Sequence, residues 1–352
     1  MTHTSLFKAA LLGLSATALM GTTALAAGPT LEIENFVGQI NVTQNNGDIS
    51  VSGQDAGTLS TQGETTRIDG GQIINNTNCR NVNGKVSLSF GKGNWNWIKG
   101  GYKDLDEYPK LVISVPADTN FILRDSVIFG SLPDMGDMDV HLSSCGDLEA
   151  GDIRGDLSAK ISGSGDLQIG DVAGLTDVKI SGSGDFEAGD ITDADISISG
   201  SGDANIGDIR FNTRDTAKIR VSGSGDIETG SLRGNADIRV TGSGDANIDD
   251  IDGDAAVESN GSGDITIEGV RGTTLSVRSN GSSDVEVDSG DVTTVMVSTN
   301  GSSAVDLNVR AVDATVQAGG SSNVYIKDAS GQRDVSRRGS ASVKIGKTRY
   351  KD

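Results

Sequence analysis

Residues 160–170, KISGSGDLQIG, decide the fold. The stretch ends an apolar–polar alternation at Ile161, turns through Gly163 and Gly165, and resumes the alternation after Asp166. Nearly the same letters return with Asp185, Asp203, Asp226, Asp245 and Asp264 in the place of Asp166, and looser copies extend the series to Asp147 on one side and to Asp284, Ala304, Asn323 and Ser342 on the other. The differences between these positions are 19, 19, 18, 23, 19, 19, 20, 20, 19 and 19 residues. A fixed period of this length is the mark of a repeat architecture.

The apolar residues inside each copy say what the unit is. Seven residues before the reference Asp the series runs from Val140 and Ala159 through Ile196, Ile219 and Ile238 to Val316 and Val335. One residue after it stand Leu148, Leu167, Phe186, Ala204, Ile227 and their counterparts down to Val343. Three after it, Ile169, Ile206, Ile248, Ile326 and Ile345 are typical, with Ala150, Ala188 and Thr229 as the small or polar departures. Apolar alternation at −7, −5, +1 and +3 is the period of a β-strand, and β-branched residues suit it. No window sustains a helical period. Short Gly-rich corners without helical connections favour a coil in which each repeat is one rung and each inward side chain stacks on its counterparts. Propeller blades need about 40 residues or more. The sequence therefore predicts an all-β, right-handed parallel β-helix (solenoid) with about 19-residue rungs stacked roughly 4.8 Å apart, closed by an N-terminal β cap.

In this frame Gly163 and Gly165 carry inward parity, while Ser162, Ser164 and Asp166 face outward. The glycines answer a corner that needs unusual backbone angles or close approach of the next rung. The carboxylates form an outward column: Asp147, Asp166, Asp185, Asp203, Asp226, Asp245, Asp264 and Asp284. Neighbours one rung apart repel by roughly 0.9 kcal/mol even in bulk water. The column thus needs turn amides, raised pKa values or bound cations. Capping of turn amides is the reading that Asp in Gly-rich corners supports. Calcium is the alternative, although the known calcium solenoid repeat, G-G-x-G-x-D, differs in spacing. Neither another cofactor nor a metal is expected.

The chain divides into four parts. Residues 1–27 have the features of an export signal: Lys8, the apolar run 9–21 and the small residues Ala24 and Ala26 flanking Leu25 before the mature start. Residues 28–139 form an N-terminal β region and cap, residues 140–346 the solenoid of repeats, and residues 347–352 a basic tail. The stretch 90–109 gathers Trp95, Trp97, Tyr102 and Tyr108 in a chain that is only 4% aromatic. Such a patch is the best local candidate for binding, or else a hairpin packed on the rod. Cys79 and Cys145 are the only cysteines. Export permits a disulfide between them, which would staple the cap to the first repeat.

Composition narrows the function. A formal charge of −20 is opposed to nucleic-acid binding. After residue 27 a single histidine, His141, remains, with no nucleophile motif around it and no H-E-x-x-H or C-x-x-C spacing. A regular carboxylate column also lacks the unlike environments that separate an acid from a base. Charge reverses at the C-terminal end. Residues 331–352 hold seven Lys and Arg against two Asp, a formal +5, whereas residues 141–310 hold 12 basic and 31 acidic residues, a formal −19. The basic end either caps the last rung or docks on an anionic envelope surface or another copy.

The repeated SGSGD followed by alternation, as in KISGSGDLQIGDV and RVSGSGDIETG, together with VPADTNFIL and the opening LEIENFVGQINVTQNNGDISVSG, resembles the bacterial putative-adhesin families, the head GIN domain and a related domain of unknown function. The resemblance covers most of residues 31–346 and implies an exported, β-helical, adhesin-like protein, with no catalytic residues. The expectation is a non-enzymatic interaction or structural module of the bacterial envelope, periplasmic, cell-surface or secreted and not membrane-spanning. Its partner would be an unidentified envelope component, glycan or protein, with self-association through the basic end. A polysaccharide-active β-helix enzyme and a cation-binding solenoid are the alternatives.

Overall fold

Each repeat lays down two strands that pair in parallel with those of the next. Leu157–Ile161 lies against Leu175–Ile180 with Ala159 opposite Val178 and Ile161 opposite Ile180, and Asp166–Ile169 lies against Phe186–Ala188 with Leu167 opposite Phe186. The first set stacks into one face of the rod, here face A, and the second into face B. A third, narrow side is held by single bridges such as Met135 to Ile153, Ile153 to Val172 and Leu232 to Ile251. The computed structural model, which describes residues 28–350 except 54–56, 73, 75, 76, 84 and 91–100, is thus a parallel β-solenoid with a rung of about 19 residues. The proposed export signal, Trp95 and Trp97 lie outside the described residues.

Identical parity in every rung turns the alternation into continuous aliphatic stacks. All eleven residues at +1 are buried, and at −7 only Val335, on the last rung, is half-buried. The −5 position departs from the expected apolar pattern. Leu142, Ile161, Ile180, Ile198, Val221 and Val240 give way to buried Ser259, Ser279 and Thr299. For Ser279 and Thr299 this accompanies a change at −1, where the corner glycine, still present as Gly263 beside Ser259, becomes Ser283, Ser303 and Ser322. Hydroxyls then meet across the corner, Ser279 with Ser283 at 3.0 Å and Thr299 with Ser322 at 2.7 Å, and Ser259 donates to the carbonyl of Gly263 at 3.0 Å. Close approach is what demands glycine in the earlier corners. A Cβ on Gly184 would collide with the carbonyl oxygen of Gly165 one rung away.

The 23-residue step between Asp203 and Asp226 is absorbed at one place. Asp193, with φ 51° and 1% exposed, accepts hydrogen bonds from the amides of Asn212 (3.0 Å), Thr213 (2.7 Å) and Arg214 (3.0 Å) and from the Thr213 hydroxyl (2.7 Å). Burial alone would raise its pKa, but these donors outweigh it and hold the carboxyl below its ordinary value of 3.8.

The two ends differ from the repeats. Thr30–Glu34 is sandwiched between Thr65–Asp69 and Asn120–Arg124, and Val37–Asn45 between Lys110–Pro116 and Val127–Leu132, all in parallel. The first strands of the described chain therefore form an inner rung. The outermost rung, Thr65–Asp69 with Lys110–Pro116, is closed by antiparallel Thr58–Gln62 on face A and Ser50–Ser52 on face B. At the other end Thr348–Tyr350 folds back antiparallel on Ser342–Ile345. Arg333 and Arg337 donate through Nε to the carbonyls of Ala329 (2.7 Å) and Ala341 (2.8 Å), covering acceptors that no further rung reaches. No helix among the described residues is long and apolar enough to cross a membrane.

Between Asp69 and Lys110 the chain leaves the rod as a small antiparallel sheet of Thr77–Val82, Lys85–Phe90 and Lys103–Asp104, hereafter the flap. Leu88 of the flap packs with Val37, Val127 and Cys145 of the rod in an apolar cluster separate from the main core. A disulfide joins Cys79 on the flap to Cys145 on the rod, with Cα atoms 6.2 Å apart.

Candidate binding surface

The outward Asp column has a partner that explains its regularity. Oδ1 of Asp166 accepts the backbone N–H of Asp185 at 2.9 Å, and Asp185, Asp203, Asp226, Asp245 and Asp264 repeat the contact to the next Asp amide at 2.7–2.9 Å. Asp284 ends the ladder on Ala304 N at 3.1 Å. Each carboxylate thus replaces a main-chain carbonyl at the corner. Where Ala304 and Asn323 stand, the next amide turns to the backbone carbonyl of Ser303 (3.0 Å) or Ser322 (2.9 Å) instead. The ladder is turn capping from rung to rung. Asp147, the first of the expected column, stands outside the ladder, because the Asp166 amide turns to the carbonyl of Gly146 at 2.9 Å; both Asp147 and Asp166 have raised pKa values, chiefly from burial. Among the described residues no three His, Cys, Asp or Glu side chains converge as metal ligands would.

A second ladder, unrecognised in the sequence, runs along the next corner. Asp134, Asp152, Asp171, Asp190 and Asp208 accept the amide one rung on at 2.8–3.1 Å. Its signal was present, since Asp152, Asp171, Asp190 and Asp208 all stand five residues after a reference Asp. Arginines pair with three of its five carboxylates: Arg154 with Asp134 at 3.0 Å, Arg210 with Asp190, and Arg233 with Asp208 at 3.4 Å. No ion pair among the described residues reaches the first ladder.

The flap departs from the repetition and forms a concave site with the rod. A cleft of about 450 Å³ opens between flap and rod, lined on one side by Leu88, Phe90, Lys103, Glu107 and Tyr108 and on the other by Phe36 and Val37. Phe90 and Tyr108 meet edge to face, centroids 6.2 Å apart. Local bonds place Tyr108. Glu107 accepts the amide of Asp104 at 3.1 Å, Tyr108 N donates to Leu105 O at 3.1 Å, and Gln39 N donates to Pro109 O at 2.9 Å, which ties the segment to the rod. A Cβ on Gly38 would collide with that same Pro109 carbonyl, so glycine admits the docking. Burial, and secondarily the charge of Glu107, raises the Tyr108 pKa. Its phenol is therefore a neutral donor at pH 7.

Of the four aromatic residues singled out by sequence, Tyr108 lines the cleft. Tyr102 lies outside its lining, half exposed, with the Arg80 guanidinium 6.0 Å from its ring centroid. Phe36, Phe90, Lys103 and Glu107 were missed, because only the return of the chain to the rod brings them together. Beyond the disulfide a second, polar groove of about 470 Å³ runs between Ile74, Thr77 and Cys79 of the flap and Ser144, Ser162 and Ser164 of the rod corner. His141 Nε2 lies 3.3 Å from the Ser162 hydroxyl. Burial, then the nearby Lys160, lowers its pKa. Among the described residues no carboxylate hydrogen-bonds the other ring nitrogen, so the oriented relay of a serine hydrolase is not assembled.

No curated protein and no solved structure matches the chain. A family model does match, over residues 134–232 and again over 235–348; the first stretch holds the whole of the second carboxylate ladder, and the Asp166–Asp284 ladder with its GSGD corner continues from the first stretch into the second. The chain belongs to the family described as putative auto-transporter adhesin, head GIN domain.

Proposed function

We propose that this protein is a non-enzymatic, adhesin-like interaction module of the exported bacterial envelope, and that it engages its partner through the cleft between flap and rod. The observation that carries this reading is the cleft itself. It joins an apolar aromatic floor, Phe36, Phe90 and Tyr108, to one cation and one anion, Lys103 and Glu107. Binding sites commonly set a few placed polar groups in an apolar concavity. The family description points in the same direction. The rod supports the reading by holding one wall of the cleft rigid, which lowers the entropy lost on binding. The test is a pull-down of envelope proteins and glycans with the wild-type protein and with Phe90→Ala and Tyr108→Ala. Retained partners should fall away with both variants while the rod keeps its circular-dichroism spectrum. Equal retention by all three proteins would overturn the assignment.

A further inference from the structure

Apart from the disulfide and the hydrogen bonds at its two ends, the flap is held to the rod by one small apolar cluster. That cluster has four buried members, Val37, Leu88, Val127 and Cys145, shares none of them with the rod core, and is completed only by partly buried side chains such as Val86, Phe90 and Phe129. Both concavities beside it, the aromatic cleft and the polar groove, have one wall on the flap and the other on the rod. Flap position therefore sets the width of both.

The rod does not need the thiol it contributes. Cys145 stands two residues before Asp147, where the following rungs place Ser164, Ser183, Ser201 and Ser224. Those corners close through the main chain and not through the side chain at that position, with Ser164 N donating to Ser144 O at 2.8 Å and Ser183 N to Gly163 O at 2.8 Å. The disulfide thus serves the flap and not the rung. It is also reachable, since both cysteines line the polar groove and Cys79 is only half-buried.

We infer that the Cys79–Cys145 disulfide is a redox-operated clamp: a dithiol reductant entering the polar groove releases the flap and opens both concavities while the solenoid stays folded. The exchange balances. A thiolate of the reductant attacks Sγ of Cys79, forming a mixed disulfide and expelling the Cys145 thiolate, which takes up a proton. The second thiolate of the reductant then attacks its own sulfur in the mixed disulfide, leaving Cys79 reduced and the reductant oxidised by two electrons. The shorter tether that the clamp closes within the folded protein runs from the end of the rod strand at Asp69 to Cys79, a separation of 79 − 69 = 10 residues. By loop-closure entropy its loss shifts the flap toward the open state by roughly a hundred-fold.

Hydrogen exchange followed by mass spectrometry tests this on the full chain, oxidised, treated with dithiothreitol, and as the Cys79→Ser/Cys145→Ser variant. Reduction and the double substitution should each speed exchange in residues 77–90 by about a hundred-fold, leave residues 235–260 unchanged, and reoxidation should restore protection. Unchanged exchange at 77–90 would overturn the clamp, as would parallel loss of protection at 235–260, or a disulfide that dithiothreitol reduces only when the rod unfolds. These readouts need no ligand, so they stand or fall separately from the proposed binding role of the cleft.

Discussion

Substituting the first carboxylate ladder separates the two roles its oxygens play. Asp185, Asp203, Asp226 and Asp245 each accept the amide of the next rung, at 2.8–2.9 Å. Changing all four to Asn keeps an acceptor oxygen in place and removes the charge. Changing all four to Ala removes both. The repulsion relieved is the same in either case: roughly 0.9 kcal/mol for each neighbouring pair in unscreened water, and about half that at physiological salt. It therefore cancels when the two variants are compared. What remains is one neutral hydrogen bond per rung, worth about 1 kcal/mol, so the Ala protein should be less stable than the Asn protein by about 4 kcal/mol over four rungs. The Asn protein should lie close to wild type, because weaker hydrogen bonds to a neutral acceptor offset the relieved repulsion. Urea unfolding followed by circular dichroism measures the gap, and a salt series isolates the charge. Wild type should gain stability with added salt and both variants should gain less. Coincident unfolding of the Asn and Ala proteins would refute the ladder as a source of stability.

Ile206→Asp, which places a charge in the aliphatic stack of face B where residue 206 is 2% exposed, should cost upwards of about 3 kcal/mol; an unaltered thermal melt would contradict its inward parity. Gly184→Ala should cost about 2 kcal/mol by forcing Cβ onto the Gly165 carbonyl, read as a lowered urea midpoint, with no change disproving the need for close approach. Asp193→Ala should destabilise by at least about 3 kcal/mol, since four donors lose their buried acceptor. Because the folded pKa of Asp193 lies below the ordinary 3.8, its contribution is complete above that pH and is lost as pH falls through the folded value, so wild type and variant should converge in acid. Asp166 has the opposite sign. Its folded pKa is raised, chiefly by burial, so ionisation costs stability above the folded value, and any gain from Asp166→Asn should be present at pH 7 and vanish below about 3.8.

The solenoid was legible because a stacked rung imposes the same environment on the same position each time. Once Leu167, Phe186, Ala204 and Ile227 share an offset, one strand pairing dictates the next. The Asp column and its capping of corner amides were legible, but that each capped amide belongs to the next rung was not, since the acceptor sits on one rung and the donor on another. The polar interior of Ser279, Ser283, Thr299 and Ser322 was hidden for a related reason. Alternation gives side-chain direction, and not which two inward hydroxyls will meet across a corner. The order of rungs at the N-terminal end escaped the sequence altogether. Nothing local in Thr30–Glu34 says that it will lie between Thr65–Asp69 and Asn120–Arg124. The cleft shares that difficulty, because Phe36 and Tyr108 are brought together by a chain that leaves the rod after Asp69 and returns at Lys110.

A wall that repeats cannot by itself select a partner in one position along its length, because every rung offers nearly the same surface as the one above it. Selectivity requires a place where the repetition is broken. Besides the antiparallel strands that close the N-terminal end, three such places stand out among the described residues. The Asp193 cage has its four donors turned inward and its carboxylate 1% exposed, so it holds a loop and offers nothing outward. The C-terminal end spends Arg333 and Arg337 on its own carbonyls and covers face B with Thr348–Tyr350. The flap alone adds a concave surface with aromatic and charged groups facing solvent, and it is also the only one of the three bonded covalently to the rod outside the main chain. The repeats then have a different use: they fix the height, angle and rigidity at which that single irregular element is presented.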